Sequence, residues 1–167
     1  MTKQGPHYRV PFRRRRRGRT DYRVRAKLLR SGKARAVVRK TLTQTIVQIV
    51  ALDPTGDKIL ASAQSIELKD HGWSAGTGNV PAAYLTGYLA GKRAGAKGVS
   101  EAVLDIGVQR PTKGGRLFAA LQGLLDSRLT VPHGEGVLPD KDRIRGTHIG
   151  EAIPKLFDDV KGKLEAP

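Results

Sequence analysis

The chain has 167 residues, enough for one ordinary core plus an extension. It contains no cysteine, which excludes disulfides, cysteine-based zinc sites and thiol nucleophiles, and its longest apolar stretch, 46–52, is interrupted by Gln48 and too short to span a bilayer. The formal charge of +16 is lopsided: residues 1–40 hold 16 of the 31 Lys and Arg and a single acid, Asp21, while the rest of the chain is close to neutral.

Residues 1–19 read as an extended basic arm, because Gly5, Pro6 and Pro11 oppose regular structure. The arm carries Arg9, the unbroken run Arg13, Arg14, Arg15, Arg16 and Arg17, and then Arg19. Adjacent guanidinium groups repel one another and cannot enter a core, so they need a polyanion, and nucleic-acid phosphate best matches their density. Gly18-Arg19-Thr20-Asp21 follows the run where a secretory signal would place its apolar segment, and the arm is too poor in serine for a transit peptide. A soluble, intracellular protein is expected.

Residues 20–33 predict a basic helix, capped by Thr20 or Asp21 and closed by Gly32. Tyr22, Leu28 and Leu29 give it one apolar face, and Arg23, Arg25, Lys27 and Arg30 occupy the rest, so it should dock on the body or on nucleic acid. The body, 34–150, opens with three strands at 34–40, 45–52 and 58–64, an antiparallel meander whose second turn is Asp53-Pro54-Thr55-Gly56-Asp57. Asn79 and Pro81 start a helix that runs to Lys97. Its Gly87, Gly91 and Gly95 form a smooth ridge, which would let it lie close on a sheet. A buried strand at 102–107, an amphipathic helix at 115–129, an irregular stretch at 131–145 and a helix at 147–163, within a terminal segment 151–167, complete the reading. The order predicts an α/β fold, a mixed β-sheet flanked by helices, with a crossover from the third strand to the fourth that would make part of the sheet parallel.

Catalytic patterns are weak. The nearest approach to a phosphate-binding Walker loop, Gly91-Lys92, lacks both the first glycine and the Ser/Thr. The glycines of Trp73-Ser74-Ala75-Gly76-Thr77-Gly78-Asn79 could hold an anion at a helix start, or could serve a tight connection with positive φ angles. His7, His71, His133 and His148 lie in separate segments without ligand spacing, the serines lack a nucleophile context, and Asp105 has no carboxylate partner in sequence for a metal-dependent nuclease. No metal or cofactor is expected. The loop Arg110-Pro111-Thr112-Lys113-Gly114-Gly115-Arg116 is more informative: three cations and two glycines leave a strand's end and enter a helix, where anion contact is expected.

Taken in order, several runs resemble the 5S-rRNA-binding ribosomal protein eighteen family of the large subunit, in its archaeal form. They are Gly5-Pro6-His7-Tyr8-Arg9-Val10-Pro11-Phe12 with the arginine run, Thr20-Asp21-Tyr22-Arg23, Leu28-Leu29-Arg30-Ser31-Gly32-Lys33, Gly76-Thr77-Gly78-Asn79-Val80-Pro81-Ala82-Ala83-Tyr84-Leu85-Thr86-Gly87, Ala102-Val103-Leu104-Asp105-Ile106-Gly107, Arg110-Pro111-Thr112-Lys113-Gly114 and Asp142-Arg143-Ile144-Arg145-Gly146. The resemblance implies a ribonuclease-H-like sheet used for binding, with no catalysis, small-molecule substrate or membrane. It also implies attachment of 5S rRNA to large-subunit rRNA beside ribosomal protein five, in the cytoplasmic ribosome. In this reading the arm follows RNA phosphates, while Arg39-Lys40 at a strand edge and Arg110, Lys113 and Arg116 bring the body against RNA. One departure stands out: Thr41-Leu42-Thr43-Gln44 replaces a basic turn of the Ser-Asn-Lys-His kind, so no RNA contact is carried over to it. A DNA-binding architectural protein is the rival class, although no recognition helix is visible; a nuclease ranks last.

Overall fold

A computed structural model describes residues 5–165 of the chain. In chain order its elements are α1 (Arg13–Arg16), α2 (Tyr22–Leu29), β1 (Ala34–Lys40), β2 (Thr45–Asp53), β3 (Gly56–Gln64), a 3-10 turn (Ser65–Lys69), α3 (Val80–Gly95), β4 (Ala102–Asp105), α4 (Arg116–Asp126), α5 (Lys141–Arg145) and α6 (Ala152–Glu165). The expected mixed sheet flanked by helices is present. Its strand order is β3-β2-β1-β4, antiparallel across the meander and parallel between β1 and β4, with Ala36 opposite Leu104. The crossover through α3 therefore passes over two strands, and β1 is an interior strand. Arg39-Lys40 stand at the end of β1, past the pairing with β4, which stops at Val37; there the turn after β4 takes the strand's place, with Gln109 bonding the Lys40 amide and the Val38 carbonyl.

Alternation along the strands sends Ala36, Val38, Val47, Ile49, Ala61 and Ala63 into the core. These side chains are small or β-branched, so helices can lie close on them. α3 is buried on almost every side because it is sandwiched between the sheet and α4. Its glycine ridge meets α4, contrary to the expectation of a sheet contact. A Cβ built on Gly87 would lie 2.1 Å from the carbonyl oxygen of Ala120, and one on Gly123 of α4 would lie 2.1 Å from that of Tyr84. The backbones cross where both helices lack side chains. Gly95, at the end of the ridge, faces open space. β3 is an edge strand, and cations of α3 and its C-terminal turn occupy its outer carbonyls: Arg93 donates to Ser62 O at 2.6 Å, and Lys97 donates to Leu60 O. Filling those acceptors blunts an edge that could otherwise pair with another chain.

Other differences have local causes. Within the arm read as extended, Arg13–Arg16 wind into one helical turn. It closes with paired bonds from Gly18 N to Arg15 O and Arg19 N to Arg14 O, both 2.9 Å, with Gly18 left-handed at φ 61°; this is a Schellman closure. β4 stops at Asp105, short of the expected 107, because Gly107 takes a φ of 63° and turns the chain. The stretch read as irregular contains α5, which Gly146 ends in the left-handed region. Residues 1–4 of the arm and 166–167 of the terminal segment lie outside the described residues.

Candidate nucleic-acid interface

The cations predicted to meet a polyanion fall into three groups. In the arm, Arg9, Arg13, Arg14, Arg15, Arg16, Arg17 and Arg19 are all exposed. Only Arg14 makes a side-chain bond to another described residue, from Nε to Thr20 Oγ1 at 2.9 Å. Phe12 packs on Tyr22 with ring centroids 5.2 Å apart, which ties α1 to the start of α2. Asp21, the one acid of this region, caps α2 by accepting the amides of Arg23 and Val24. Those bonds hold its carboxyl below the usual range. Its carboxylate is committed to the backbone, and it forms no direct ion pair with an arginine among the described residues.

The second group is α2 and the ions beneath it. Tyr22, Arg25, Leu28 and Leu29 turn toward the body, leaving Arg23, Lys27 and Arg30 outward. Arg25 Nη2 donates to Asp57 Oδ1 at 2.8 Å. Arg35, with a side chain only 3% exposed, has Nη2 2.8 Å from Asp57 Oδ2 and donates from Nη1 to Asp105 Oδ2 at 2.8 Å. Arg39 completes the chain, donating to Asp105 Oδ1 at 2.9 Å and to the Asp105 carbonyl at 2.6 Å. The series Arg25–Asp57–Arg35–Asp105–Arg39 thus joins α2 to three strands. Burial raises the carboxyl pKa of Asp105, but bonds from Arg39, Arg35 and the Gly107 amide outweigh it and leave the group below its ordinary value. Asp57 is also lowered, chiefly by its bond from Arg25.

The third group lies at the end of the sheet where β1 finishes. The β1–β2 turn closes with Thr41 N donating to Gln44 O at 2.8 Å and Gln44 N to Thr41 Oγ1 at 3.0 Å. Arg116, at the start of α4, reaches into this turn from below. Its Nη1 donates to Thr41 O at 3.0 Å and Gly78 O at 2.9 Å. Thr77 Oγ1 donates to Thr43 O at 2.7 Å. A Cβ on Gly78 would come 2.7 Å from Leu42 O, so this glycine is required for close approach. Neither Gly76 nor Gly78 has the positive φ that the tight-connection reading expected. The turn after β4 is fastened to the same place: Gln109 accepts the Lys40 amide at 3.0 Å and donates to Val38 O at 3.3 Å. Arg143 donates to Gly114 O at 3.2 Å and steadies the basic loop. Lys40, Arg110 and Lys113 make no side-chain bond to another described residue.

Of the sequence-predicted cations, Arg25, Arg39 and Arg116 are thus held by the protein itself. The arm, the outer face of α2, and the set Lys40, Arg110 and Lys113 remain available. Among the described residues no group of three His, Cys, Asp or Glu side chains is placed to hold a metal, and no helix is long and apolar enough to cross a membrane.

Residues 6–99 and 92–134 match the family model described as ribosomal large subunit proteins 60S L5, and 50S L18. The chain belongs to this ribosomal family. Similar proteins are large ribosomal subunit protein uL18 of Methanothermobacter thermautotrophicus, 53% identical over 93% of this chain and 81% of that protein, and uL18 of Haloarcula marismortui, 54% identical over 91% and 81%. The protein of the same name from Natronomonas pharaonis is 53% identical over 92% of this chain and 84% of its own length. The family match takes in the arm from Pro6, α2, the whole sheet, the β1–β2 turn and the basic loop; α5 and α6 follow it in the chain.

Sequence reasoning missed Arg35, Asp57 and Asp105 as a unit. The one available signal was Arg35 at an apolar-facing strand, a cation that must find acids once buried. It also missed Arg143, whose role depends on α5 folding back over the loop.

Proposed function

We propose that this chain is a structural constituent of the large ribosomal subunit that binds 5S rRNA and helps attach it to the large-subunit rRNA. Family membership supplies the ribosomal setting. The observation that carries RNA binding is the segregation of unpaired cations. Arginines of the arm, Arg23, Lys27 and Arg30 on α2 and its C-cap, and Lys40, Arg110 and Lys113 at the sheet end lack carboxylate partners among the described residues, and the near-neutral core supports them.

In this division of labour the arm, 1–19, follows phosphates, and the helix of 20–33 presents its outer cations while Arg25 anchors it. The body, 34–150, sets the sheet end against RNA, and α6, the described part of the terminal segment 151–167, packs on the body through Phe157, Val160 and Leu164. Arg39 and Arg116 act indirectly, as residues that position the backbone next to Lys40 and the basic loop. Such contacts supply affinity through phosphates and shape, in the manner of structured RNA recognition. Ribosomal protein five as a neighbour and the cytoplasmic ribosome as location belong to the same reading, which assigns no catalysis, metal or cofactor.

The test is equilibrium binding of the full chain to 5S rRNA and to duplex DNA of equal length, across a salt series. The expected result is tighter binding to 5S rRNA at every salt concentration. Equal or stronger binding to DNA would favour an architectural DNA-binding protein instead.

A further inference from the structure

Leu42 is 94% exposed at the tip of the β1–β2 turn. Isolated apolar side chains on a surface are ordinary, but few sit on backbone held from so many sides. The carbonyls of Thr41 and Thr43 on either side of Leu42 accept bonds from Arg116 and Thr77, and Gly78 presses against the carbonyl of Leu42 itself. The turn is fixed by the body, and its side chain has been left to the solvent. The charge around it is one-sided. The segments that meet here, 38–46, 73–79 and 106–116, contain no carboxylate; with Arg39 held by Asp105 and Arg116 by backbone carbonyls, Lys40, Arg110 and Lys113 are the cations left without a partner among the described residues. A protein surface docking on such an end would need acids to match it, whereas RNA brings phosphates and the apolar faces of unstacked bases together.

We propose that Leu42 is an apolar contact for RNA, seated against an unstacked base while Lys40, Arg110 and Lys113 hold the flanking phosphates. The inference rests on the RNA-binding reading above and names a specificity contact within it. Taking a leucine out of water is favourable in proportion to the area covered. Because the turn is already fixed, little conformational freedom is lost when it docks. A base in a continuous duplex stack offers no such face, so the contact would favour RNA with loops or bulges over a regular helix.

The full chain and its Leu42→Ser and Leu42→Met variants would be titrated against 5S rRNA and against a perfectly paired RNA duplex of the same length. Leu42→Ser should weaken 5S rRNA binding about tenfold while leaving duplex binding and the salt dependence unchanged. Leu42→Met should bind like the parent protein, and all three should melt alike, since the side chain touches no core. Chemical probing of 5S rRNA should show a small set of loop nucleotides protected by the parent and reopened by Leu42→Ser. The proposal is overturned if Leu42→Ser binds 5S rRNA within twofold of the parent, the outcome expected were a protein neighbour the occupant. It is equally overturned if duplex binding falls by the same factor. Failure of the parent chain to bind 5S rRNA would remove the functional reading itself and this contact with it.

Discussion

Asp105 stands between Arg35 and Arg39 with its side chain 7% exposed, and Arg35 is buried beneath α2. Replacing Asp105 with Asn keeps the shape and removes the charge, so Arg35 would retain only the more exposed Asp57. Removing one partner of a buried ion pair costs roughly 3–5 kcal/mol, because the other charge is left uncompensated. Asp105→Asn should lower the urea midpoint accordingly, and Asp105→Glu, which cannot reach both arginines in the same geometry, should recover only part of the loss. The same chain of ions gives the protein an acid limit. The carboxyls of Asp57 and Asp105 are both depressed in the folded state. Such groups contribute stability that is fully present above the ordinary carboxylate value of about 4 and is lost as pH falls through their lower folded values. Stability measured by denaturant titration should be flat in this respect above about pH 5 and should decline below about pH 4. In Asp105→Asn the decline should be shallower. An unchanged acid slope in that variant would mean the pair is not linked to folding. The sequence hinted only that Arg35, in an apolar strand, must find an acid; which acid was not legible, since Arg35 and Asp105 lie in separate elements and meet because β4 joins β1 in parallel.

The elements that sequence marked well are those whose signals are local. β1, α3 and α4 carry their periodicity within their own residues, α3 adds a capping residue, and β2 and β3 are joined by a Pro-x-Gly turn. Asn79 accepts the Ala82 amide at 2.9 Å, as its place before Pro81 suggested. What could not be read was choice of partner. A ridge of Gly87, Gly91 and Gly95 announces a close neighbour without saying whether it is a sheet or a helix, and the answer lay in Gly123, more than thirty residues after Gly87. α1 was missed because Gly5, Pro6 and Pro11 argue for extension, while the good helix propensity of arginine and Gly18 as a closing residue argue for a turn of helix after them. The helix crossing yields a paired test. Gly87→Ala would push a methyl into the Ala120 carbonyl, which must shift, and should destabilise by about 1–3 kcal/mol as overpacking does. Gly95→Ala meets nothing and should instead gain up to about 1 kcal/mol, since alanine is the better helix former. Thermal melting of the two variants should move in opposite directions; movement in the same direction would show that the close crossing is not what Gly87 serves.

Across the whole molecule, the near-neutral body and the cationic start divide two tasks, folding and association. No residue of the described arm, 5–19, is buried, and its links to the rest are the Arg14–Thr20 bond and the packing of Phe12 on Tyr22. The core of α3, α4 and the sheet uses none of these groups. Deleting residues 1–19 should therefore leave the melting transition of the body nearly unchanged. Association should change sharply, because seven arginines and one lysine leave with the segment. Every phosphate that a cation no longer neutralises lowers the slope of log affinity against log salt by about 0.7–0.9. If all seven arginines touch phosphates in the complex, the slope should fall by roughly 5–6; if only the run of five does, by roughly 4. The truncated chain would keep Arg23, Lys27, Arg30, Lys40, Arg110 and Lys113, so a residual salt dependence should remain. Its preference for looped RNA over duplex should survive, since the sheet end that carries Leu42 is intact. The measurement is a salt titration of both chains on 5S rRNA, with the duplex as reference. A slope unchanged by truncation would place phosphate binding in the body alone, and a body that unfolds without the arm would mean that the two tasks are not separable.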